Sequence, residues 1–389
     1  MSVTRSNFSA HPSLPADRDI LVCVFQRGAA DGLNSLAPYS DGNYYAHRPS
    51  IAVPQPGELD GGIYVDDNYA LHPALAPLKP IFDAGDLALV HATGVPHQIR
   101  SHFSAQNLIE RGIVDKAGPN SGWLGRHLGV TVPASESAFR SIALSGNVPV
   151  ALNGVQEPLA VDDLGQFGFD QEILDRGYLQ LMANLYRYPA PFSVLADAAL
   201  PAIEELQAAD PISIIPDNGA VYADTPLAGK LRQAAQLIKS RLPVEVIHID
   251  SAGWDHHESL PNYLDSSLTE LADSLSAFYT DLGAAMARVT VLVYTEFGRR
   301  IAENGSLGAD HGTASLAYLM GGGVNGGQVI GDWPGLVIDP DIPASEDLQI
   351  TTDLRTVIGE LLNKRLGGTD VGVVFPGFSG PYDVNAFLP

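Results

Sequence analysis

Residues Val289–Ser315 read VTVLVYTEFGRRIAENGSLGADHGTAS. The run from Val289 to Tyr294 is apolar and rich in β-branched residues, the pattern of a strand buried on both faces. It stops at the polar pair Thr295-Glu296. A glycine-containing loop then leads to Asp310-His311-Gly312. A carboxylate at a strand's C-terminal end, with an Asp-His pair in the next loop, is how open α/β sheets build sites.

The residues upstream supply a second wall. Pro243–Asp250 (PVEVIHID) reads as a strand and runs into Ser251-Ala252-Gly253-Trp254-Asp255-His256-His257-Glu258. Asp255 and His257 are two apart in a loop, a spacing that lets a carboxylate and an imidazole converge on one divalent cation. The plainer alternative is a polar loop with incidental histidines. Leu264, Leu268, Leu271, Leu275, Phe278 and Leu282 then repeat at alternating four and three spacing, so a helix buries one face. Strand, helix and strand in this order imply a right-handed parallel crossover. That topology leaves Asp255, His257 and Glu296 at one sheet edge.

Nearer the N-terminus, Asp19–Phe25 (DILVCVF) is the first clear strand, ending in Gln26-Arg27-Gly28-Ala29-Ala30-Asp31-Gly32. Taken alone, Asp31 reads as a turn or helix-cap aspartate. Arg27 beside a strand-end carboxylate suits an anionic substrate group. Residues 40–67 form a Pro-, Gly-, Asp- and Tyr-rich excursion, and Pro73–Ala84 reads as a short helix. Asp86–Ala92 (DLALVHA) is another buried strand, and the following loop carries His97 and Arg100. A helix starts near Ser101 and runs to about Arg111, with His102 in its first turn. Ser101 reads either as an N-cap or as a nucleophile, its alkoxide stabilised by the helix N-terminus. Arg100, His97 and His102 favour the second role.

Residues 112–165 are loop-rich with short β-like pieces, FRSIALSG and VPVALNG. Residues 170–241 are mostly helical, and Leu231, Ala234, Leu237 and Ile238 recur at helical spacing. After Ser315, LAYLMGGGVNGG reads as a strand with a glycine turn. TTDLRTVIGELLNKRL is an amphipathic helix capped by Thr351 or Thr352 and Asp353, and VGVVFPGF closes the chain. The expected organisation is a flexible leader over 1–18 and one α/β domain over 19–389, with a helical insertion around 166–241.

The chain has 389 residues, 45% of them hydrophobic, with a net charge of −23. Its mean hydropathy is +0.05, as expected for a soluble protein with a sizeable core. Such an acidic balance argues against nucleic acid and anionic membrane as partners. It fits an anionic substrate only where metal ions or a basic cluster offset it locally. The single cysteine, Cys23, sits in an apolar run, so an internal disulfide and a zinc–thiolate cluster are excluded. No apolar run reaches transmembrane length and the first residues lack an apolar signal core, so a cytoplasmic location is expected.

Several motifs, taken in order, carry a resemblance: RGAADGLN, RSHFSAQ, GWDHH, TEFGRR, DHGTAS, TTDLRTVIGELL and FPGF. Together they resemble the domain-of-unknown-function 1501 (DUF1501) family, which is similar to the alkaline phosphatase and sulfatase superfamily. The resemblance implies a three-layer α/β/α fold with a central, largely parallel sheet and a metal site at the strand ends. It implies that Asp31 is a metal ligand on the first strand and that Ser101 is the nucleophile. It also implies that Asp255, His257 and His311 are metal ligands. Glu296 stands where the superfamily usually has Asp-His, and here the pair is Glu-Phe. That departure removes one expected imidazole, a gap that His256, His97 or Asp310 could fill. Relatives often carry an export signal, so an exported location is the alternative.

Residues and resemblance converge on one mechanism. One or two divalent cations (Zn, Mn, Mg or Ca) hold a small tetrahedral anionic ester, a phosphate or a sulfate. Ser101 or a water attacks, and Arg27, Arg100 or Arg299 stabilises the equatorial oxygens. The alternative is a non-catalytic metal-binding or scaffold protein that keeps the fold.

Overall fold

A computed structural model describes residues 19–97, 99–133, 137–154, 158–167 and 192–389. The expected leader and the 168–191 part of the expected helical insertion lie outside the described residues.

Among the described residues nine strands form the main sheet: β1 (Ile20–Gln26), β2 (Leu87–Gly94), β3 (Ser141–Ala143), β4 (Leu159–Ala160), β5 (Val246–Ser251), β6 (Val289–Thr295), β7 (Ser315–Gly321), β8 (Val329–Ile330) and β9 (Thr352–Asp353). The spatial order is β8-β2-β7-β6-β1-β5-β3-β4, with β9 also on β2. β1 pairs in parallel with both β5 and β6, so the crossover from β5 to β6 steps over it. β7 runs antiparallel to both its neighbours, β2 and β6; every other pairing in this sheet is parallel. The direction of β7 matters for the site: the strand begins at the edge where β6 ends.

The period of two along the central strands divides the core into two layers. Val22 and Val24 of β1 face one cluster, whereas Leu21, Cys23 and Phe25 face the other. In β6, Val291 and Val293 oppose Leu292 and Tyr294 in the same way. Helices cover both faces. On the first lie α3 (Phe192–Ala209), α4 (Pro226–Lys239) and α5 (Leu260–Leu282), contributing Leu206, Leu231 and the Leu264–Leu275 stripe. On the second lie α1 (His102–Arg111), α2 (Trp123–Val130) and α6 (Leu354–Lys364), contributing Ile109, Trp123 and Leu361. Each fully buried leucine adds roughly 2 kcal/mol of transfer free energy. The architecture is therefore α/β/α around a mostly parallel sheet.

Several local expectations shift. Pro73–Leu78 is a 3₁₀ turn that passes into the short helix Lys79–Asp83, because Pro77 interrupts α-helical hydrogen bonding. VPVALNG holds a 3₁₀ turn, Val150–Leu152, in place of a strand. VGVVFPGF begins with a short helix, Val371–Val374, capped by Asp370. The cap of α6 is Asp353, whose carboxylate accepts the Arg355 N–H at 2.9 Å. A small antiparallel sheet of Leu36–Ala37, Ile63–Tyr64 and Ala70–Leu71 organises the 40–67 excursion. No helix among the described residues is long and apolar enough to cross a membrane.

Burial also sets an acid limit on the fold. It lowers His91, His127 and His248 from 6.5 to about 4. Between those values the native imidazoles stay neutral while those of the unfolded chain take up protons. The unfolded state then binds more protons, so stability falls as pH drops through this window. The expected slope is roughly 1.4 kcal/mol per pH unit for each histidine once below its unfolded value. Denaturant unfolding between about pH 6.5 and about pH 5 checks this, above the range where carboxylates titrate. A flat stability profile there would contradict it.

Candidate metal centre

The site is assembled from four chain segments at the C-terminal edge of the sheet. Asp255 and His257 follow β5, Glu296 follows β6, His102 opens α1, and His311 lies in the loop that enters β7. Two glycines let these loops approach. Gly28, at φ +123°, lies against the Asp255 backbone, where a Cβ would come within 2.6 Å of the Asp255 nitrogen. A Cβ on Gly308 would sit 2.0 Å from the His257 carbonyl oxygen. A side chain at either position would push a site residue away.

At the centre is the Asp255 carboxylate. Its Oδ1 accepts from Arg299 Nη2 at 2.7 Å and lies 3.1 Å from His257 Nε2 and 3.2 Å from His311 Nε2. Its Oδ2 lies 3.4 Å from His102 Nε2. Ligand atoms of His102, Asp255 and His311 lie within 4.8 Å of one another. His257 joins the group through His311, the two Nε2 atoms being 2.9 Å apart.

The far sides of the three rings fix their tautomers. His102 Nδ1 faces Glu296 Oε1 at 2.8 Å. His257 Nδ1 faces Asp310 Oδ1 at 3.2 Å. His311 Nδ1 faces the Arg100 carbonyl oxygen at 2.8 Å. An ionised carboxylate and a carbonyl only accept, so each Nδ1 carries the hydrogen. In the neutral rings the three Nε2 lone pairs then point inward, at each other and at a carboxylate. His102 Nε2 is buried without a hydrogen-bond partner. Lone pairs facing one another across 2.9 Å repel unless a proton or a cation lies among them. Metal-binding histidines show this arrangement: Nδ1 on an oxygen acceptor and Nε2 toward the ion. The residues present therefore fit a divalent cation.

Electrostatics agree with the geometry. Burial alone would raise Asp255, but the Arg299 hydrogen bond and charge bring it down to about 2, so the carboxylate stays ionised. Glu296 is 1% exposed and burial pushes it upward. Hydrogen bonds from His102 and Gln106 outweigh that and hold it below the usual range. The Glu296 hydrogen bond in turn raises His102, whereas burial lowers His311.

The family described as "Protein of unknown function (DUF1501)" matches residues 87–374. That span takes in His102, Asp255, His257, Glu296 and His311 and covers well over half of the chain. The chain belongs to the DUF1501 family. No curated protein matches its sequence. Among solved structures, it is similar to a variant of the alkaline phosphatase PafA at 12% identity, over 73% of this chain and 64% of that one, with a TM-score of 0.34. It is also similar to the C-terminal periplasmic domain of EcEptC from Escherichia coli at 10% identity, over 96% and 92% of the two chains, with a TM-score of 0.35. A protein in the alkaline phosphatase superfamily from Vibrio parahaemolyticus matches at 9% identity, over 79% and 61%, with a TM-score of 0.33.

Within this DUF1501 chain, the expected site residues divide by what their side chains touch. Asp255, His257 and His311 come together, and His102 joins them at the centre. Glu296 and Asp310 each face the Nδ1 of a clustered histidine, His102 and His257 respectively. Asp31 caps Gly32–Ser35, and both its oxygens accept from Arg48 Nη1, at 2.9 and 2.8 Å. His256 is buried and stacks on Tyr263, its Nε2 3.4 Å from the Ser267 hydroxyl. His97 is buried, and its Nδ1 accepts from the Ile99 N–H at 3.3 Å.

The three arginines also separate. Arg299 is 1% exposed and donates to the carbonyls of Gly28, Ala29, Trp254 and Ala309 besides Asp255, so it is buried among backbone acceptors and positions Asp255. Arg27 is held by Gln106, Glu110 and Asp250. Arg100 pairs with Asp347 through Nη2, and its Nε and Nη1 have no partner among the described residues. Ser101 is the exposed N-cap of α1, and its hydroxyl makes no capping bond.

Sequence reasoning passed over Gln106, Arg48 and Phe297. Gln106 stands four residues after His102, a same-face helical spacing that could have flagged it. Phe297, the second residue of the Glu-Phe departure, packs its ring 5.2 Å from His102 and 5.0 Å from His311, holding both imidazoles in place.

Proposed function

We propose that this chain is a metal-dependent hydrolase of phosphate or sulfate esters, acting at the strand C-terminal edge. The observation that carries the reading is the convergence of three Nδ1-anchored imidazoles on Asp255. His102, Asp255 and His311 would hold the cation, with His257 beside them. A divalent cation there supplies Lewis acidity, neutralising a tetrahedral anion and acidifying a nearby O–H. Three imidazoles and one carboxylate favour a transition ion such as zinc over Mg or Ca.

The chain's own residues supply the rest. Ser101 presents an uncapped hydroxyl at the N-terminus of α1, next to His102, where helix N–H groups favour a developing oxyanion. Ser101 is therefore the nucleophile of this reading. Arg100 offers Nε and Nη1 to the anion's oxygens while Asp347 steadies the guanidinium. These positive groups offset the repulsion of a chain carrying −23.

The test begins by chelating the purified protein. It is then assayed on aryl phosphate, phosphodiester and aryl sulfate, and single metals are restored in turn. Activity that disappears with chelator and returns with a metal supports the reading; activity indifferent to chelation ends it. Ser101→Ala is expected to drop turnover to background while leaving metal affinity unchanged. Retained turnover in that variant would transfer the attack to water.

A further inference from the structure

His102 is the first link of a longer chain of hydrogen bonds. His102 Nδ1 donates to Glu296 Oε1 at 2.8 Å, and the same oxygen accepts from Gln106 Nε2 at 2.9 Å and the Gly28 N–H at 2.9 Å. The other oxygen, Oε2, accepts from the Thr295 hydroxyl at 2.9 Å. Gln106 Oε1 in turn accepts from Arg27 Nη1 at 3.2 Å. Arg27 is clamped from beyond: Nη2 lies 3.1 Å from Glu110, Nε lies 2.8 Å from Asp250, and the guanidinium sits 4.4 Å over the Phe25 ring.

The direction of each link follows from donor chemistry. A guanidinium can only donate, so the amide oxygen of Gln106 must face Arg27. Its NH₂ must then face Glu296. A carboxylate can only accept, so the ring nitrogen of His102 facing it must be N–H, and Nε2 is left with a lone pair. Reverse the Gln106 amide and its oxygen would meet Glu296 Oε1, acceptor against acceptor. Arg27 and Glu296 thus impose the same orientation on Gln106 from its two sides.

We propose that Arg27 and Gln106 are positioning residues that, through Glu296, lock His102 in the tautomer able to bind a cation. The proposal rests on the metal-site reading for its purpose, but its core statement concerns a hydrogen position in the metal-free protein. Arg27 acts three hydrogen bonds away from His102, as an orienting charge and not as an anion clamp.

The test uses the full chain, metal-free and selectively ¹⁵N-labelled at histidine, at mildly alkaline pH. Long-range ¹H–¹⁵N spectra report which ring nitrogen of His102 carries hydrogen, the resonance being assigned with His102→Gln. Wild type is expected to show the Nδ1–H form. Gln106→Glu keeps the side chain's size but puts an oxygen against Glu296 Oε1. Arg27→Lys keeps the charge but loses the planar fork that reaches Gln106, Glu110 and Asp250 together. Both variants are expected to show mixed tautomers at His102 and to weaken zinc affinity, measured by chelator competition, by roughly 10–100-fold. Glu110→Gln touches the same arginine off the chain of links and is expected to leave the tautomer unchanged. Wild-type tautomer and zinc affinity in both Gln106→Glu and Arg27→Lys would overturn the proposal, as would an Nε2–H form in wild type. If wild type shows the expected tautomer but takes no zinc, the hydrolase reading fails and the positioning role stands.

Discussion

Asp255→Ala is expected to remove cation binding and hydrolysis together. Asp255 is the group on which the Nε2 atoms of His102, His257 and His311 converge, and it brings the only carboxylate charge in that group of four. Without it three imidazoles remain, with no anion to offset a divalent charge. The Arg299 guanidinium, buried beside them, would then face the cation unscreened. Loss of affinity should therefore exceed the roughly 10–100-fold typical of removing a ligand's hydrogen-bond partner. Elemental analysis and zinc competition on the folded variant measure this directly. Wild-type affinity in Asp255→Ala would show that the cation, if bound at all, sits elsewhere.

The second large effect concerns stability. Arg48→Met is expected to cost about 3–5 kcal/mol, the usual penalty for breaking a buried ion pair by removing one partner. Arg48 and Asp31 have side chains 0% and 1% exposed. The guanidinium also donates to Asn34 Oδ1 at 2.7 Å and to the carbonyls of Arg300 and Ile301 at 2.8 and 2.9 Å. Methionine fills much of the volume but leaves the buried Asp31 carboxylate without its counter-charge and the Arg300 and Ile301 carbonyls without this donor. A loss of this size is a large fraction of a typical domain's stability. The carbonyls belong to the segment that carries Arg299, so cation affinity should weaken as well. Denaturant unfolding measures the cost; a loss below about 1 kcal/mol would refute the role given to this pair. Adding Asp31→Asn should recover part of the loss, because it removes the uncompensated charge.

These two predictions show how far the sequence could be read. Asp31 and Asp255 both follow strands that are plain in the sequence, and both are carboxylates near glycines. Read alone, Asp31 pointed to a cap, and the cap is what forms; the family resemblance pointed to a metal ligand, and Arg48 has taken that carboxylate. Arg48 lies in a stretch of the 40–67 excursion with no periodic pattern, so nothing local announced it. Glu296 looked like a ligand because it ends β6. Its position was legible, but its direction was not: it turns inward to His102 and Gln106. His102 was legible only as one of several spare histidines, and it became central because α1 starts beside Asp255.

The sequence by itself determined the long central strands, the helical stripe over Leu264–Leu282 and the edge of the sheet at which polar residues gather. Those features depend on apolar periodicity, a short-range property that every few residues repeat. Only the tertiary structure decided which polar groups meet a cation, which orient its ligands and which arginines are already engaged. Those roles turn on differences of a few ångströms among side chains brought together from five distant segments. Spacing along the chain does not record whether an imidazole's Nδ1 already faces an oxygen or a guanidinium has donors to spare.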